Sequence, residues 1–237
     1  MISLHSKIVI AIPTYNERKN VELLIPKILA IIGNCHVLII DDNSPDGTGA
    51  FIRKLNQPNV HLLSRMSKMG LGSAYLDGFR WIMHNIDPDI IIQMDADLSH
   101  DIALIPRMVK LVEDGYDLVV ASRYIKGGRV EGWPFHRNLI SAGANTLART
   151  MLSLKVKDAT SGFKAWNKRA IKNLLESKMS GKGYEYQIES LLVASKANMK
   201  IAELPYSFVE RKVGKSKLTT RDMLNFAVYI FRKAMAG

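Results

Sequence analysis

The stretch that most constrains this chain is Ile90 to His100, Ile-Ile-Ile-Gln-Met-Asp-Ala-Asp-Leu-Ser-His. Three consecutive aliphatic residues read as a strand buried on both faces, the pattern of a parallel sheet covered by helices. Asp95 and Asp97 then fall at its carboxyl end, which is where ligands bind in open parallel sheets. Two carboxylates separated by one small residue repel each other unless a positive charge lies between them. A hard divalent cation, Mg2+ or Mn2+, supplies that charge, suits oxygen ligands and commonly holds substrate phosphates. Taken alone, an Asp-Ala-Asp is equally a turn that caps the next helix, so the rest of the chain has to decide.

Strand and helix signals alternate through the first half. Strands are expected at Lys7 to Ile12, Val37 to Ile40, Val60 to Leu63, Ile90 to Met94 and Leu118 to Ala121. Between them lie helical patterns at Val21 to Ile32, Ala50 to Leu55 and Leu71 to His84, and one capped by Asp101 that reaches Val112. Pro26 should kink the first helix or mark its first turn. Such alternation means a mostly parallel sheet with right-handed crossovers, flanked by helices. The second half changes character. Lys126 to Arg137 reads as a loop, followed by a helix over Asn138 to Leu152 that is rich in small residues. Helices are expected at Lys168 to Glu176 and Tyr186 to Ala197, and an extended segment with Pro205 at Ile201 to Val209. Glu210 to Lys217 carries four basic residues and Gly214, which predicts a mobile loop, and Thr219 to Met235 a final helix. No linker, repeat or low-complexity segment divides the chain, so one domain is expected.

Charge narrows the partners. The 237 residues carry 33 Lys and Arg against 22 Asp and Glu, a net charge of +11. That suits phosphates, nucleic acid or an anionic membrane surface. Acids at the strand ends would repel a nucleic-acid backbone, and no nucleic-acid motif is present, so no nucleic-acid partner is expected. The single cysteine, Cys35, excludes an internal disulfide. No signal peptide is recognisable, because Ile8 to Ile12 is short and Pro13 ends it. No apolar stretch has the roughly 20 residues needed to span a bilayer. A cytoplasmic chain is expected.

The other strand ends add chemistry. The first ends in Pro13-Thr14-Tyr15-Asn16-Glu17, where an aromatic ring suits a base and a carboxylate suits a ribose hydroxyl; a helix-capping turn is the plainer alternative. The second ends in Asp41-Asp42-Asn43-Ser44-Pro45-Asp46-Gly47-Thr48. A turn accounts for Pro45, Asp46 and Gly47 but not for two acids directly at the strand end. Acids after the second and fourth strands face one crevice in a doubly wound sheet, which favours a nucleotide–metal site. Basic residues cluster at Arg123, at Arg129 and Arg137, and at Arg211, Lys212, Lys215 and Lys217, where they could clamp phosphates.

These segments carry a family resemblance. Pro-Thr-Tyr-Asn-Glu, Asp-Asp-Asn-Ser-Pro-Asp-Gly-Thr, Lys68-Met-Gly-Leu-Gly-Ser-Ala-Tyr75, Met94-Asp-Ala-Asp-Leu-Ser-His100 and Ser122-Arg-Tyr124 occur in that order. Thr160-Ser-Gly-Phe163, Gly183-Tyr-Glu-Tyr-Gln-Ile-Glu189 and Gly214-Lys-Ser-Lys-Leu218 follow. The chain resembles glycosyltransferase family two, and within it the dolichyl-phosphate (polyprenyl-phosphate) mannose synthases. The resemblance implies a GT-A fold, a GDP-mannose donor, a polyprenyl or dolichyl phosphate acceptor and inversion at the anomeric carbon. It implies that Pro13, Tyr15 and Glu17 hold the guanosine with Ile40 and Asp42 beside it, and that Asp95 and Ala96 contact the nucleotide. Asp97 would ligate Mg2+ or Mn2+; Arg123, Arg211 and Lys217 would bind donor phosphates; Arg137 and Ser141 would hold the acceptor phosphate. Residues 1–123 would form the nucleotide-sugar half, 124–218 the acceptor half and 219–237 an amphipathic helix. The sequence departs from the family pattern at Ser99, where some members have Gln as a second metal ligand. Members with transmembrane helices after the catalytic domain exist, and this chain resembles those without them.

A lipid monophosphate is already an anionic nucleophile, so charge neutralisation by a metal and arginines matters more than a general base. A UDP-glucose or UDP-amino-sugar donor on the same fold is the alternative. Met223 to Phe231, followed by Arg232 and Lys233, is too apolar all round for a simple packing stripe. Either it is a core helix, or its outer side meets a membrane surface or a small membrane subunit.

Overall fold

The computed structural model describes residues 6–132, 135–181, 183–210 and 220–235; the side chains of residues 135–138, 140 and 220–225 fall outside that description. Along the first half the expected alternation is present. Strand β1 (Ile8–Thr14) leads into helix α1 (Arg18–Ile32), β2 (Cys35–Asp41) into α2 (Thr48–Leu55), and β3 (Val60–Ser64) into α3 (Leu71–Asn85). Strand β4 (Ile90–Gln93) is followed by a 3-10 turn, α4 (Ile105–Glu113) and β5 (Leu118–Ser122). Asp101 caps that turn, its carboxylate accepting from the Ala103 amide at 3.0 Å. Then come β6 (Arg129–Glu131), α5 (Phe135–Met151), β7 (Lys164–Asn167), α6 (Lys168–Glu176), α7 (Tyr186–Lys196), β8 (Ile201–Pro205), β9 (Ser207–Val209) and α8 (Thr220–Met235).

The main sheet has seven strands in the order β3-β2-β1-β4-β7-β5-β8. All neighbours run parallel except β7, which is antiparallel to both β4 and β5. Alternate residues of β1 enter opposite cores: Ile8, Ile10 and Ile12 pack with α1 and α4, while Val9 and Ala11 pack with α3, α6 and α7. Burial on both faces is why these strands read as unbroken apolar runs. The chain leaves β1 toward β2 on one side and reaches β4 on the other. A crevice therefore opens at the carboxyl end of β1, where such reversals place ligand sites.

Three expectations need correction, and one strand was missed. Of the two places expected for Pro26, the first turn is ruled out: it lies in the middle of α1, exposed, so the hydrogen bond it forgoes lies on the solvent side. The segment 126–137 is not all loop: Arg129–Glu131 pairs with Ser207–Val209 as a separate two-stranded sheet, and α5 already begins at Phe135. The extended stretch 201–209 is two strands in two sheets, parting at Tyr206. Strand β7 was not anticipated, because Lys-Ala-Trp-Asn is short and opens on a charged residue. The expected loop at 210–217 lies outside the described residues beyond Glu210.

Packing is tight where α3 crosses the sheet. A Cβ on Gly78 would sit 2.9 Å from Ile40 Cγ1 and closer still to its Cδ1. Gly78→Ala should therefore destabilise the protein by about 1–3 kcal/mol through overpacking, read as a lower urea midpoint at unchanged slope. Adding Ile40→Val, which removes the terminal methyl, should recover part of that loss; a strictly additive double variant would show that the two positions do not collide.

Candidate active site

The first turn of the site is built by hydrogen bonds between strand ends. Thr14 and Asp41 are paired in register across β1 and β2. The Thr14 hydroxyl donates to Asp41 Oδ1 at 2.9 Å, and Asp41 also accepts the Ser44 amide at 3.0 Å and hydroxyl at 2.5 Å. Asp46 accepts the amides of Arg18 at 2.9 Å and Thr48 at 3.0 Å, stitching this turn to the start of α1. Asn16 and Asn43 take left-handed backbone conformations, both with φ of 57°, which asparagine tolerates well. The turn explanation thus holds for Ser44 to Thr48, and Asp41 belongs to it. Asp42 does not.

Asp42 lines a cleft together with Pro13 near the end of β1, Tyr15 and Glu17 after it, and Asp95, Ala96 and Asp97 after β4. Its remaining wall comes from Lys68, Gly70, Leu71 and Ala74 at the entry to α3, and from Gly183 and Tyr184 before α7. Sequence reasoning gave these no role, although their glycine-punctuated runs were the available signal. Lys68 Nζ lies 5.1 Å over the Tyr15 ring, within cation–π range. Asp42 is paired with Arg65 at 2.5 Å, and Arg65 is in turn held by Asp77 at 3.1 Å and Ser73 at 2.5 Å. Burial pushes the Asp42 carboxyl above its ordinary pKa, outweighing the pull of Arg65.

The acid pair is braced from behind. Asp97 Oδ1 accepts the Ser99 amide at 3.1 Å and the Ser99 hydroxyl at 2.5 Å. This return is possible because Leu98 adopts φ of 62°, a left-handed conformation that costs a branched residue about 1–2 kcal/mol. The Asp95 amide donates to His100 Nδ1 at 3.2 Å, which leaves the proton on Nε2, 3.8 Å from Asp95 Oδ2. His100 is stacked on Phe163 at 4.8 Å, and burial lowers its pKa against the pull of Asp95 and Asp97. The Tyr75 hydroxyl donates to Asp95 Oδ1 at 3.4 Å. Two braced carboxylates at a cleft fit a hard cation. Among the described residues no group of three or more His, Cys, Asp or Glu side chains could hold a metal. A cation here would complete its shell with water and substrate phosphate oxygens, as Mg2+ commonly does.

Other predicted residues lie elsewhere. Ser99, expected as a metal ligand, is buried beside Asp97 and donates its hydroxyl hydrogen to that carboxylate. Ile40 packs its side chain into the core against α3, away from the cleft. Arg123, expected as a phosphate ligand, is buried and bound through Nε and Nη2 to Asp158 at 2.8 and 2.7 Å and through Nη2 to Thr160 at 2.7 Å. It pins the segment entering β7 to the end of β5. Ser141 shares a 3.0 Å hydrogen bond with Tyr124. Arg137 is in the first turn of α5, its side chain outside the description, and Arg211 and Lys217 lie outside the described residues.

Residues 9–175 match the family Glycosyl transferase family 2. The chain belongs to that family and is a glycosyltransferase. It is 38% identical over 213 residues to the polyprenol monophosphomannose synthase of Mycolicibacterium smegmatis, covering 89% of this chain and 80% of that protein. The undecaprenyl-phosphate mannosyltransferase of Micrococcus luteus is 36% identical over 233 residues, 98% of this chain and 95% of that one. The dolichol-phosphate mannosyltransferase of Pyrococcus furiosus is 36% identical over 231 residues, 95% of this chain but 63% of that protein. Among solved structures, glucosyl-3-phosphoglycerate synthase from Mycobacterium tuberculosis matches with a TM-score of 0.68 at 17% identity, over 98% of this chain and 80% of that one. Its complex with Mn2+, uridine diphosphate and glucosyl-3-phosphoglycerate matches at 0.66 and 18%, over 98% and 78%. At that identity the likeness speaks for the fold alone, which is GT-A.

The sheet also encloses a polar network next to the acid pair. Gln93, fully buried at the end of β4, donates to Gln187 Oε1 at 2.8 Å and accepts from Tyr186 at 3.2 Å. Lys164 Nζ donates to Gln187 O, Gln187 Oε1 and Ser190 Oγ, each at 2.9 Å. A Cβ on Gly162 would lie 3.3 Å from Asp95 Oδ2 and 3.4 Å from Gln187 Nε2, so this network abuts the acid pair directly. Burial pushes the Lys164 amine down to about 7 from its ordinary 10.5. Between those values the unfolded chain binds more protons than the folded one, so stability rises with pH across that window. Lys164→Met should remove that slope. Urea denaturation at about pH 7.5 and about pH 9.5 should show wild type gaining on the variant with rising pH; a constant difference would mean that the amine stays charged when folded.

Proposed function

We propose that this chain transfers mannose from GDP-mannose to a polyprenyl (dolichyl) phosphate with inversion, giving polyprenyl phosphate mannose. The reading rests above all on relatives that align over nearly the whole chain and whose names all join mannose to a polyprenyl-type phosphate. In the reaction a lipid phosphate oxygen bonds to the anomeric carbon while the bond from that carbon to the GDP β-phosphate oxygen breaks, its electron pair leaving with GDP. The nucleophile is already an anion, so no proton has to be removed. The barrier lies in bringing two anions together and releasing a third.

The cleft suits the donor. Tyr15 offers a face for the base, Pro13, Glu17 and Asp42 flank it, and Asp95, Ala96 and Asp97 receive the nucleotide. Mg2+ or Mn2+ held at Asp97, with Asp95 beside it, supplies positive charge for the leaving diphosphate. Lys68, exposed at the rim, adds a cation there. Arg123 acts as a structural pin through Asp158, while Arg211 and Lys217 reach donor phosphates. Arg137 and Ser141, one helical turn apart on α5, receive the acceptor phosphate.

No helix among the described residues is long and apolar enough to cross a membrane. Yet α5 and α8 touch each other, and they expose Leu139 and Leu147 on one and Val228, Phe231 and Met235 on the other. We propose that this paired surface seats the enzyme on the cytoplasmic face of a membrane, with Arg232 adding about 1 kcal/mol among anionic head groups. A small membrane subunit is the other occupant such a surface would accept.

The deciding experiment is a transfer assay with labelled GDP-mannose and a short polyprenyl phosphate, run beside UDP-glucose. Product from the UDP sugar alone would overturn the donor assignment. Asp97→Asn should lower turnover at least ~100-fold in a folded protein, because the loss of a metal ligand removes several kcal/mol of charge stabilisation. Phe231→Asp should weaken cosedimentation with anionic liposomes about tenfold; unchanged recovery would leave α8 a packing element.

A further inference from the structure

One wall of the cleft, formed by Gly183 and Tyr184, belongs to the loop between α6 and α7. What holds this loop is a carboxylate from α7. Glu189, only 3% exposed, accepts the Ser180 amide at 3.0 and 3.1 Å on its two oxygens, the Ser180 hydroxyl at 3.1 Å and the Gly181 amide at 2.6 Å. A Cβ on Gly181 would lie 2.9 Å from Glu189 Oε2, so glycine is what lets the backbone come this close. Across the loop, a Cβ on Gly72 of α3 would lie 2.5 Å from the Gly181 carbonyl oxygen. The loop is thus wedged between the helix that opens the cleft and the carboxylate behind it. A further partner of Glu189 comes from a distant element: Lys233 Nζ, on α8, lies 2.9 Å from Oε1 and 5.4 Å over the Tyr229 ring.

We propose that Glu189 is a positioning residue for the nucleotide cleft, and that its pairing with Lys233 ties the placement of Ser180, Gly181, Gly183 and Tyr184 to the seating of α8. Burial alone would raise the Glu189 carboxyl; Lys233 and the Gly181 and Ser180 amides more than reverse this and hold its pKa below the ordinary range. When α8 shifts, the carboxylate loses this cationic partner and pulls less strongly on both amides. The loop then loosens on the side where it touches the nucleotide. Because α8 also presents Val228, Phe231 and Met235 outward, contact at that surface is communicated to the cleft through this carboxylate. The inference rests on the reading of the cleft as the donor site.

The test compares the full chain with Lys233→Met, with Lys233→Arg, and with Lys110→Met, which removes a surface pair to Asp114 within α4. Calorimetry with GDP-mannose and Mn2+ gives donor affinity, and hydrogen exchange over residues 179–185 gives loop order without any ligand. Lys233→Met should weaken donor binding at least about threefold and speed exchange in the loop, while turnover at saturating donor stays close to wild type. Lys233→Arg should restore both, and Lys110→Met should change neither. Unchanged exchange and affinity in a folded Lys233→Met protein would overturn the proposal. Should wild type itself bind no GDP-mannose, the donor reading fails and the exchange measurement alone decides the latch.

Discussion

Like charge at the carboxyl end of one sheet is the constraint on which this molecule turns. Asp41 at the end of β2 with Asp42 after it, and Asp95 and Asp97 after β4, stand at the ends of strands that flank β1. Carboxylates gathered this way destabilise a fold unless each finds its own donors. Each does, from a different source: Asp41 from Thr14 and Ser44, Asp42 from Arg65, Asp95 from Tyr75, and Asp97 from Ser99. The surrounding loops are shaped by these bonds. The turn after β2, the reversal at Leu98 and the approach of α3 all follow from where the donors must stand.

The first half of the fold was readable because its physics is local in sequence. Isoleucine runs that end in acids, helical periodicity between them, and Asp101 before Ile102 each state their structure within a few residues. The second half was not. Strand β7 is central and antiparallel, yet Lys164 opens it, and a lysine looks like a surface residue until Gln187 and Ser190 supply acceptors from more than twenty positions away. The two strands within 201–209 could not be told from one because the break at Tyr206 is set by which sheet each half joins.

The site followed the same division. Residues that directly follow strands, among them Tyr15, Asp42, Asp95 and Asp97, came together in one cleft as their positions implied. Side chains whose surroundings are tertiary did not. Arg123 carries the charge of a phosphate ligand, but its guanidinium is satisfied by Asp158, thirty-five residues away in sequence. Composition gave no sign of Arg65, because nothing near it in sequence reveals that Asp42 will be its partner.

The place of β7 has a consequence for how the molecule is made. Strands β4 and β5 are consecutive in the main sheet's sequence but never touch; the strand between them arrives more than forty residues after β5. As the chain emerges from the ribosome, β3, β2, β1 and β4 can pair at once, leaving β4 as an open edge. That edge carries the acid pair at its end and exposes aliphatic backbone that other chains can join. Until residues 164–167 are made, the edge of β4 beside Asp95 and Asp97 has no strand of its own sheet to cover it.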